Sequence, residues 1–250
     1  MWLAGAVALI TGASSGIGTA TALALSAAGA RLVLSGRDID RLDAVASATG
    51  GLAIAADLTE PDGPDTLAAT ALRKAGRIDV LVSNAGSGWA GPITDLTGTK
   101  AAELVTLNLL APVQLARLVA PGMIERRHGR IVFVSSIAGA TGVRHEAVYA
   151  AAKAGLNCLA ESLCYEVAGT GVGISLVLPG VVDTPFFSRQ GRRYDRGFPI
   201  PISPERVATA ITDAIARDRD VVYVPGWMRL PAWLHGAAPV TFRRLATRFG

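Results

Sequence analysis

Short apolar runs alternate with longer segments of helical periodicity along almost the whole chain. The runs at 6–10, 31–34, 52–55, 78–82, 130–134, 173–178 and 221–224 are apolar on both faces, as expected of strands covered by helices on both sides. Between them, apolar residues return every three or four positions over 16–28, 37–49, 64–75, 98–127, 146–168 and 204–217, which predicts helices. The last of these opens Ser203-Pro204-Glu205, a capping residue followed by proline at the first helical position. Strict alternation of strand and helix gives right-handed crossovers. The expected fold is therefore α/β, a single-domain, doubly wound parallel sheet of about seven strands with helices on both faces. Two stretches, 179–202 and everything from 225 onward, read as irregular. Long irregular segments often cover substrate sites, so 185–203 is expected to be a lid and 225–250 a C-terminal tail.

Composition agrees with a buried sheet: half of the 250 residues are apolar and 18% are charged, which excludes a disordered or fibrous chain. Cys158 and Cys164, six apart on a predicted helix, fall on different faces. Reduced thiols and a cytoplasmic setting are therefore expected. The longest apolar segment, 104–119, is interrupted by Asn108, Pro112, Gln114 and Arg117, so no membrane span is expected. The apolar N-terminus lacks a basic leader and reads as a first strand. The net charge of +4 is unevenly placed, since no acidic residue follows Asp220 while Arg229, Arg243, Arg244 and Arg248 do. A second basic cluster is Arg189, Arg192, Arg193 and Arg196. Solvated surface accounts for both clusters, and nucleic-acid binding has only the basic tail in its favour. For the aromatic and arginine-rich tail, packing on a neighbouring subunit or over a pocket ranks above contact with a membrane.

The chemistry begins at Thr11-Gly12-Ala13-Ser14-Ser15-Gly16-Ile17-Gly18, between the first predicted strand and the first helix. Glycines at a βα turn let the backbone approach a pyrophosphate, which the amides at the helix start then hold. Gly12, Ser14, Ser15, Gly16, Ile17 and Gly18 are thus candidate dinucleotide contacts. The second strand ends in Gly36-Arg37, where an acidic residue would select NAD. An arginine there suits a 2′-phosphate, so NADP(H) is expected over NAD(H), unless Arg37 only pairs with Asp38 or Asp40. Tyr149 and Lys153, four apart on a helix, project from one face. The ammonium is expected to lower the phenol's pKa and so fit it for general acid–base work. Ser136 stands where the strand ending Ile131-Val132-Phe133-Val134 would meet the ligand crevice, placed to hydrogen bond a substrate oxygen. Asn108 is a polar residue among leucines in the middle of a helix. His128, His145 and His235 show no metal-site spacing, so no metal is expected. His145, Phe186 and Phe187 are candidate substrate contacts, the phenylalanines pointing to an apolar substrate portion.

Together these residues resemble the short-chain dehydrogenase/reductase family, in its compact form near 250 residues, over a span from Ala6 to about Val224. The resemblance implies a Rossmann-like fold and an NAD(P)-dependent interconversion of a secondary alcohol and a ketone, with Tyr149 as general acid and base. It selects Ser136 over Ser135. It implies that Asn108 kinks its helix and holds a water that relays protons from Lys153, whose ammonium also bonds the nicotinamide ribose. Asp57 and the Leu58 amide correspond to the adenine contact, Asn84, Ala85 and Gly86 to the turn along the adenosine ribose. Pro179, Gly180, Val182 and Thr184 correspond to the segment that grips the nicotinamide carboxamide. One departure is Ser83, where the family often carries a further asparagine. The resemblance also implies a homo-oligomer, a dimer or tetramer built through the 98–127 and 146–168 helices. The rival reading, a catalytically silent dinucleotide-binding redox sensor, usually lacks the tyrosine or lysine that this chain retains. Ketones of lipid, terpenoid, steroid or acyl chains all fit this chemistry.

Overall fold

The computed structural model describes residues 3–190 and 198–249. Its strands are β1 (Val7–Thr11), β2 (Arg31–Gly36), β3 (Leu52–Ala55), β4 (Val80–Ser83), β5 (Gly129–Val134), β6 (Val172–Pro179) and β7 (Val221–Val224). Its helices are α1 (Gly16–Ala27), α2 (Ile39–Thr49), α3 (Gly63–Ala75), α4 (Gly98–Val105), α5 (Ala111–Glu125), α6 (Ala138–Thr141), α7 (Ala147–Glu166), α8 (Phe186–Arg189), α9 (Pro204–Ala216), α10 (Arg229–Ala237) and α11 (Pro239–Phe249). Among the described residues the seven strands form one parallel sheet in the order β3-β2-β1-β4-β5-β6-β7. The order reverses between β1 and β4, and beyond the carboxyl ends of strands at such a reversal lies a ligand crevice.

The strands are apolar on both faces because each face meets its own helical layer. Val7 and Leu9 of β1 join Leu67 of α3, Leu115 of α5 and Leu156 of α7 in one buried cluster. Ala8 and Ile10 point the other way and join Leu25 of α1, Leu42 of α2 and Ile211 of α9. Period-two side chains on a sheet covered from both sides give this division directly. The segment from Gly98 to Glu125 is long and apolar enough to cross a bilayer by length and composition. Its Leu104, Leu107, Ala111, Leu115, Val119 and Met123 are buried instead in the protein core, where it covers one face of the sheet.

At the amino ends of the strands the sheet is tied by charge. The Arg130 guanidinium, 2% exposed, donates to Ser175 Oγ (2.8 Å), to the Arg219 carbonyl (2.7 Å) and to the Ile174 carbonyl (3.1 Å), and pairs with Asp218 and Asp220. Asp79 accepts from the Val7 amide and from Arg77, each at 2.9 Å, and this tie precedes β4, which starts at Val80 and not at 78.

The helix expected over 98–127 breaks where the resemblance put its kink: α4 and α5 are joined by a wide π turn, Thr106–Leu110, that carries Asn108. One expectation needs correction: the tail expected to be irregular is largely helical, in α10 and α11. Pro231 and Pro239 misled because proline reads as a helix breaker, yet each sits in the first turn, where no intrahelical amide partner is lost. Among its described residues the segment expected to be a lid is irregular apart from the short α8. Arg192, Arg193 and Arg196 of its basic cluster lie outside the described residues.

Candidate active site

The glycine turn closes on the end of β4. Thr11 Oγ1 accepts from the Asn84 and Ala85 amides, both at 3.0 Å, and Asn84 Nδ2 donates to the Thr11 carbonyl at 2.9 Å. A Cβ at Gly12 would lie 2.9 Å from the Ala85 Cα, and one at Gly16 would lie 2.9 Å from Thr184 Cγ2. At Gly18 a Cβ would run into the Gly12 carbonyl. The three glycines therefore let the 84–86 turn, the glycine turn and the segment after β6 meet at one place. Ser15 stands at the N-cap of α1 with its hydroxyl not spent on the helix, and Ser14 Oγ lies beside Gly36 at the end of β2. Open helix-start amides flanked by hydroxyls and a glycine cradle fit a dinucleotide pyrophosphate. Ile17 packs behind the turn against the core.

Arg37 and Asp57 end up together, at the ends of β2 and β3, with Nη1 and Oδ2 3.8 Å apart. Asp57 Oδ1 accepts from the Thr59 amide at 2.9 Å and hydroxyl at 2.6 Å. Burial alone would raise this carboxyl's pKa, but the Thr59 hydrogen bonds and the Arg37 charge outweigh it and hold it below the usual value. Arg37 thus finds Asp57, and Asp38 is occupied as the cap of α2, accepting from the Arg41 amide. Leu58 is buried behind this edge.

The catalytic candidates converge from four elements. Tyr149 on α7 is 7% exposed, and its hydroxyl hydrogen-bonds the Ser136 side chain. Ser136 Oγ also accepts from the Ala138 amide at 3.1 Å, which fixes it at the start of α6. Lys153, one turn along α7, donates to the Val134 carbonyl at 2.9 Å, with Nζ 5.9 Å from the Tyr149 ring centre. Asn108 Nδ2 donates to the Ser87 carbonyl at 2.8 Å and the Leu104 carbonyl at 2.9 Å. Its Oδ1 is buried and without a hydrogen-bond partner, an acceptor left over for the water that the resemblance implies. A Cβ on Gly86 would lie 2.8 Å from this Oδ1 and 3.7 Å from Lys153 Nζ, so only a bare backbone fits between them.

The expected protonation states need correction. The Tyr149 pKa is not lowered overall: burial raises it above its ordinary value, outweighing the lowering by the Ser136 hydrogen bond. Burial likewise pulls Lys153 down to about 8. The ammonium is spent on the Val134 carbonyl and the phenol keeps its proton, a state suited to donating it.

The remaining candidates border this centre. Phe186 of α8 lies over Tyr149 with ring centres 5.6 Å apart, and Phe187 meets Phe186 edge-on at 5.7 Å, one layer further out. His145 is half-buried with φ of 70°, and its carbonyl accepts from the Gly91 amide at 2.9 Å. Pro179 ends β6, where its carbonyl accepts from the Ile137 amide at 2.9 Å. The Gly180 amide donates to Val224 at 2.8 Å, and Val182 is buried with a bridge to Ile202. Sequence reasoning gave no role to Ser135, whose hydroxyl ties to Asn157 at 2.5 Å and braces α7 against β5. It also missed Gly88 and Gln190: a Cβ at Gly88 would fall on the Gln190 amide, whose Nε2 is buried without a partner. No local pattern announces a contact between residues so far apart in sequence.

A family model for short chain dehydrogenase matches residues 6–195. The ketoacyl reductase HetN of Nostoc is 36% identical over 232 residues, covering 89% of this chain and 79% of that protein. A short chain dehydrogenase/reductase from Burkholderia phymatum, solved in complex with NAD, superposes with a TM-score of 0.86 at 26% identity over 95% of each chain. A short-chain dehydrogenase from Sphingobium yanoikuyae, solved in complex with NADPH, does so with a TM-score of 0.83 at 31% identity, over 94% of this chain and 95% of the other.

Proposed function

This chain belongs to the short chain dehydrogenase family, and on that premise we propose that it is an NADP(H)-preferring oxidoreductase that reduces a ketone to a secondary alcohol. The observation that carries the reading is the buried Tyr149 hydroxyl, still protonated, hydrogen-bonded to Ser136 with Lys153 one turn away. When bound, the nicotinamide supplies hydride to the substrate carbon or takes it back. The chain's own part is the proton and the oxygen. Tyr149 gives its proton to the carbonyl oxygen in reduction and removes it from the alcohol in oxidation. Ser136 donates to the same oxygen and steadies the charge that develops there. Phe186 excludes water from above.

Gly12, Ser14, Ser15, Gly16 and Gly18 would hold the pyrophosphate, Asn84 to Gly86 the adenosine ribose, and Gly180 to Thr184 the nicotinamide. Arg37 supports the preference for a 2′-phosphate: its partner Asp57 is 3.8 Å away and half-exposed, so the guanidinium is not committed to it. The apolar cover of Phe186 and Phe187, and the name ketoacyl reductase carried by the Nostoc relative, support a ketone within an acyl chain. Exposed Val105, Leu110, Ile124 and Tyr165 on the 98–127 and 146–168 segments support a homo-oligomer formed through those helices.

The test is NADPH oxidation against a carbonyl panel that includes a β-ketoacyl thioester. The Tyr149→Phe variant is expected to lose turnover by about 10²- to 10⁴-fold while still binding the dinucleotide. Unchanged turnover would sink the mechanism, and dinucleotide binding with no turnover in the parent would favour the redox sensor. Arg37→Ala is expected to reduce the preference for NADPH over NADH by about tenfold or more. A parent enzyme that prefers NADH would overturn the cofactor assignment.

A further inference from the structure

The tail that follows β7 is folded, anchored and left with an apolar face uncovered. Met228 is buried on Gly180, where a Cβ would lie 2.6 Å from its Cε, so α10 starts directly on the segment that borders the active site. His235 meets Phe242 edge-on at 5.2 Å, which folds α11 back on α10. Leu230 and Trp233, three apart and so on one face of α10, are nevertheless 67% and 68% exposed. Trp227 is exposed beside them and stacks at 5.3 Å on Phe198, which is exposed in turn, as are Ile200, Val240 and Leu245. Scattered exposed leucines are ordinary, but aromatic and aliphatic side chains gathered on one short segment are not.

The charge around this face names its partner. From Val221 to Gly250 there is no aspartate or glutamate, while Arg229, Arg243, Arg244 and Arg248 add four positive charges, as many as the whole chain's net +4. A second copy docking through the same face about a two-fold axis would set these arginines against themselves. An anionic bilayer surface meets both halves of the pattern: the headgroup boundary takes tryptophan and leucine, and lipid phosphates take guanidinium groups. We infer that the α10–α11 segment docks this protein peripherally on anionic membrane surfaces, with Leu230 and Trp233 seated at the headgroup boundary, Arg229 beside them on lipid phosphates, and the positive charge of the tail adding a general attraction to the surface. Because Met228 fixes α10 to Gly180, docking also sets the active-site crevice beside the bilayer, where an acyl-chain substrate would reside.

The experiment is co-sedimentation of the full-length chain with vesicles of phosphatidylcholine alone and of phosphatidylcholine mixed with phosphatidylglycerol. The parent protein should pellet with the mixed vesicles at least about tenfold more strongly than with the neutral ones, and the difference should shrink as salt is raised. Leu230→Ser combined with Trp233→Ser removes exposed side chains only, so the fold should be retained, as should turnover on a short water-soluble ketone. This variant should lose about tenfold or more of its vesicle binding, and Arg229→Glu should weaken binding to the mixed vesicles alone. A parent protein that stays in the supernatant with anionic vesicles overturns the inference, as does a double variant that pellets as well as the parent. Light scattering gives the other decisive result: an oligomer that the double variant dissociates, without vesicle binding by the parent, assigns the face to a second copy.

Discussion

At the scale of single residues, position in the sequence reveals the chemistry but not its proton. Tyr149 and Lys153 share a helix face by their spacing alone, and Ser136 follows from its place after a strand. What the spacing omits is depth. Burial raises the Tyr149 pKa and lowers that of Lys153 to about 8, so the ammonium does not act on the phenol as a simple charge pair. This has a consequence for stability. Lys153 starts from an ordinary value of 10.5, so between pH 8 and 10.5 the unfolded chain binds a proton that the folded chain does not. Stability then rises with pH across that window and is penalised in full below it. A Lys153→Met variant without cofactor lacks this dependence. Its unfolding free energy relative to the parent should therefore fall by roughly 3 kcal/mol as pH rises from about 8 to 10.5, at about 1.4 kcal/mol per unit. Chemical denaturation of both proteins across that range checks it, and parallel curves would show that Lys153 is not desolvated.

At the scale of elements, regular stretches are legible, and of the departures from regularity only the kink at Asn108 is. Strands such as Leu52–Ala55 and Val221–Val224 fall where the apolar runs put them. The wide turn at Thr106–Leu110 has no signature beyond one polar residue among leucines, because helical periodicity averages over a single extra backbone unit. The tail was misread for the opposite reason, since its prolines look like breaks when taken singly and like helix starts once their positions are known. The junction of α8 with the loop after β4 was invisible, as it depends on a chain reversal between Gly88 and Gln190. That junction seats α8, so Gly88→Ala should push Gln190 and with it Phe186 away from Tyr149. The expected outcome is a rise in KM for bulky apolar ketones of about threefold or more, with less than about 0.5 kcal/mol change in stability, as is usual for changes outside the core. Steady-state kinetics paired with thermal melts separates the two, and an unchanged KM would show that α8 seats without this contact.

At the scale of the whole molecule, the alternation of strand and helix was enough to read the fold, because a parallel sheet leaves few topologies open. Its polarity also divides labour between the two ends. The carboxyl ends of the strands carry Ser136, Asn84 and Gly180, while the amino ends carry the Arg130 and Asp79 ties. Arg130→Ala should therefore cost about 2–4 kcal/mol through lost packing and the hydrogen bonds that the guanidinium gives to Ser175 and to the Ile174 and Arg219 carbonyls. Its turnover number at a permissive temperature should stay within about twofold of the parent. A melt and a kinetic assay on one preparation decide it: loss of turnover without loss of stability would mean the two ends are coupled. The same polarity bears on handling. The chain enters the sheet through β1 at the end remote from the crevice, and it leaves through β7 on the crevice rim beside Gly180. A bead, tag or fusion partner attached ahead of β1 leaves the mouth of the enzyme facing outward, whereas one attached beyond α11 stands at its doorway.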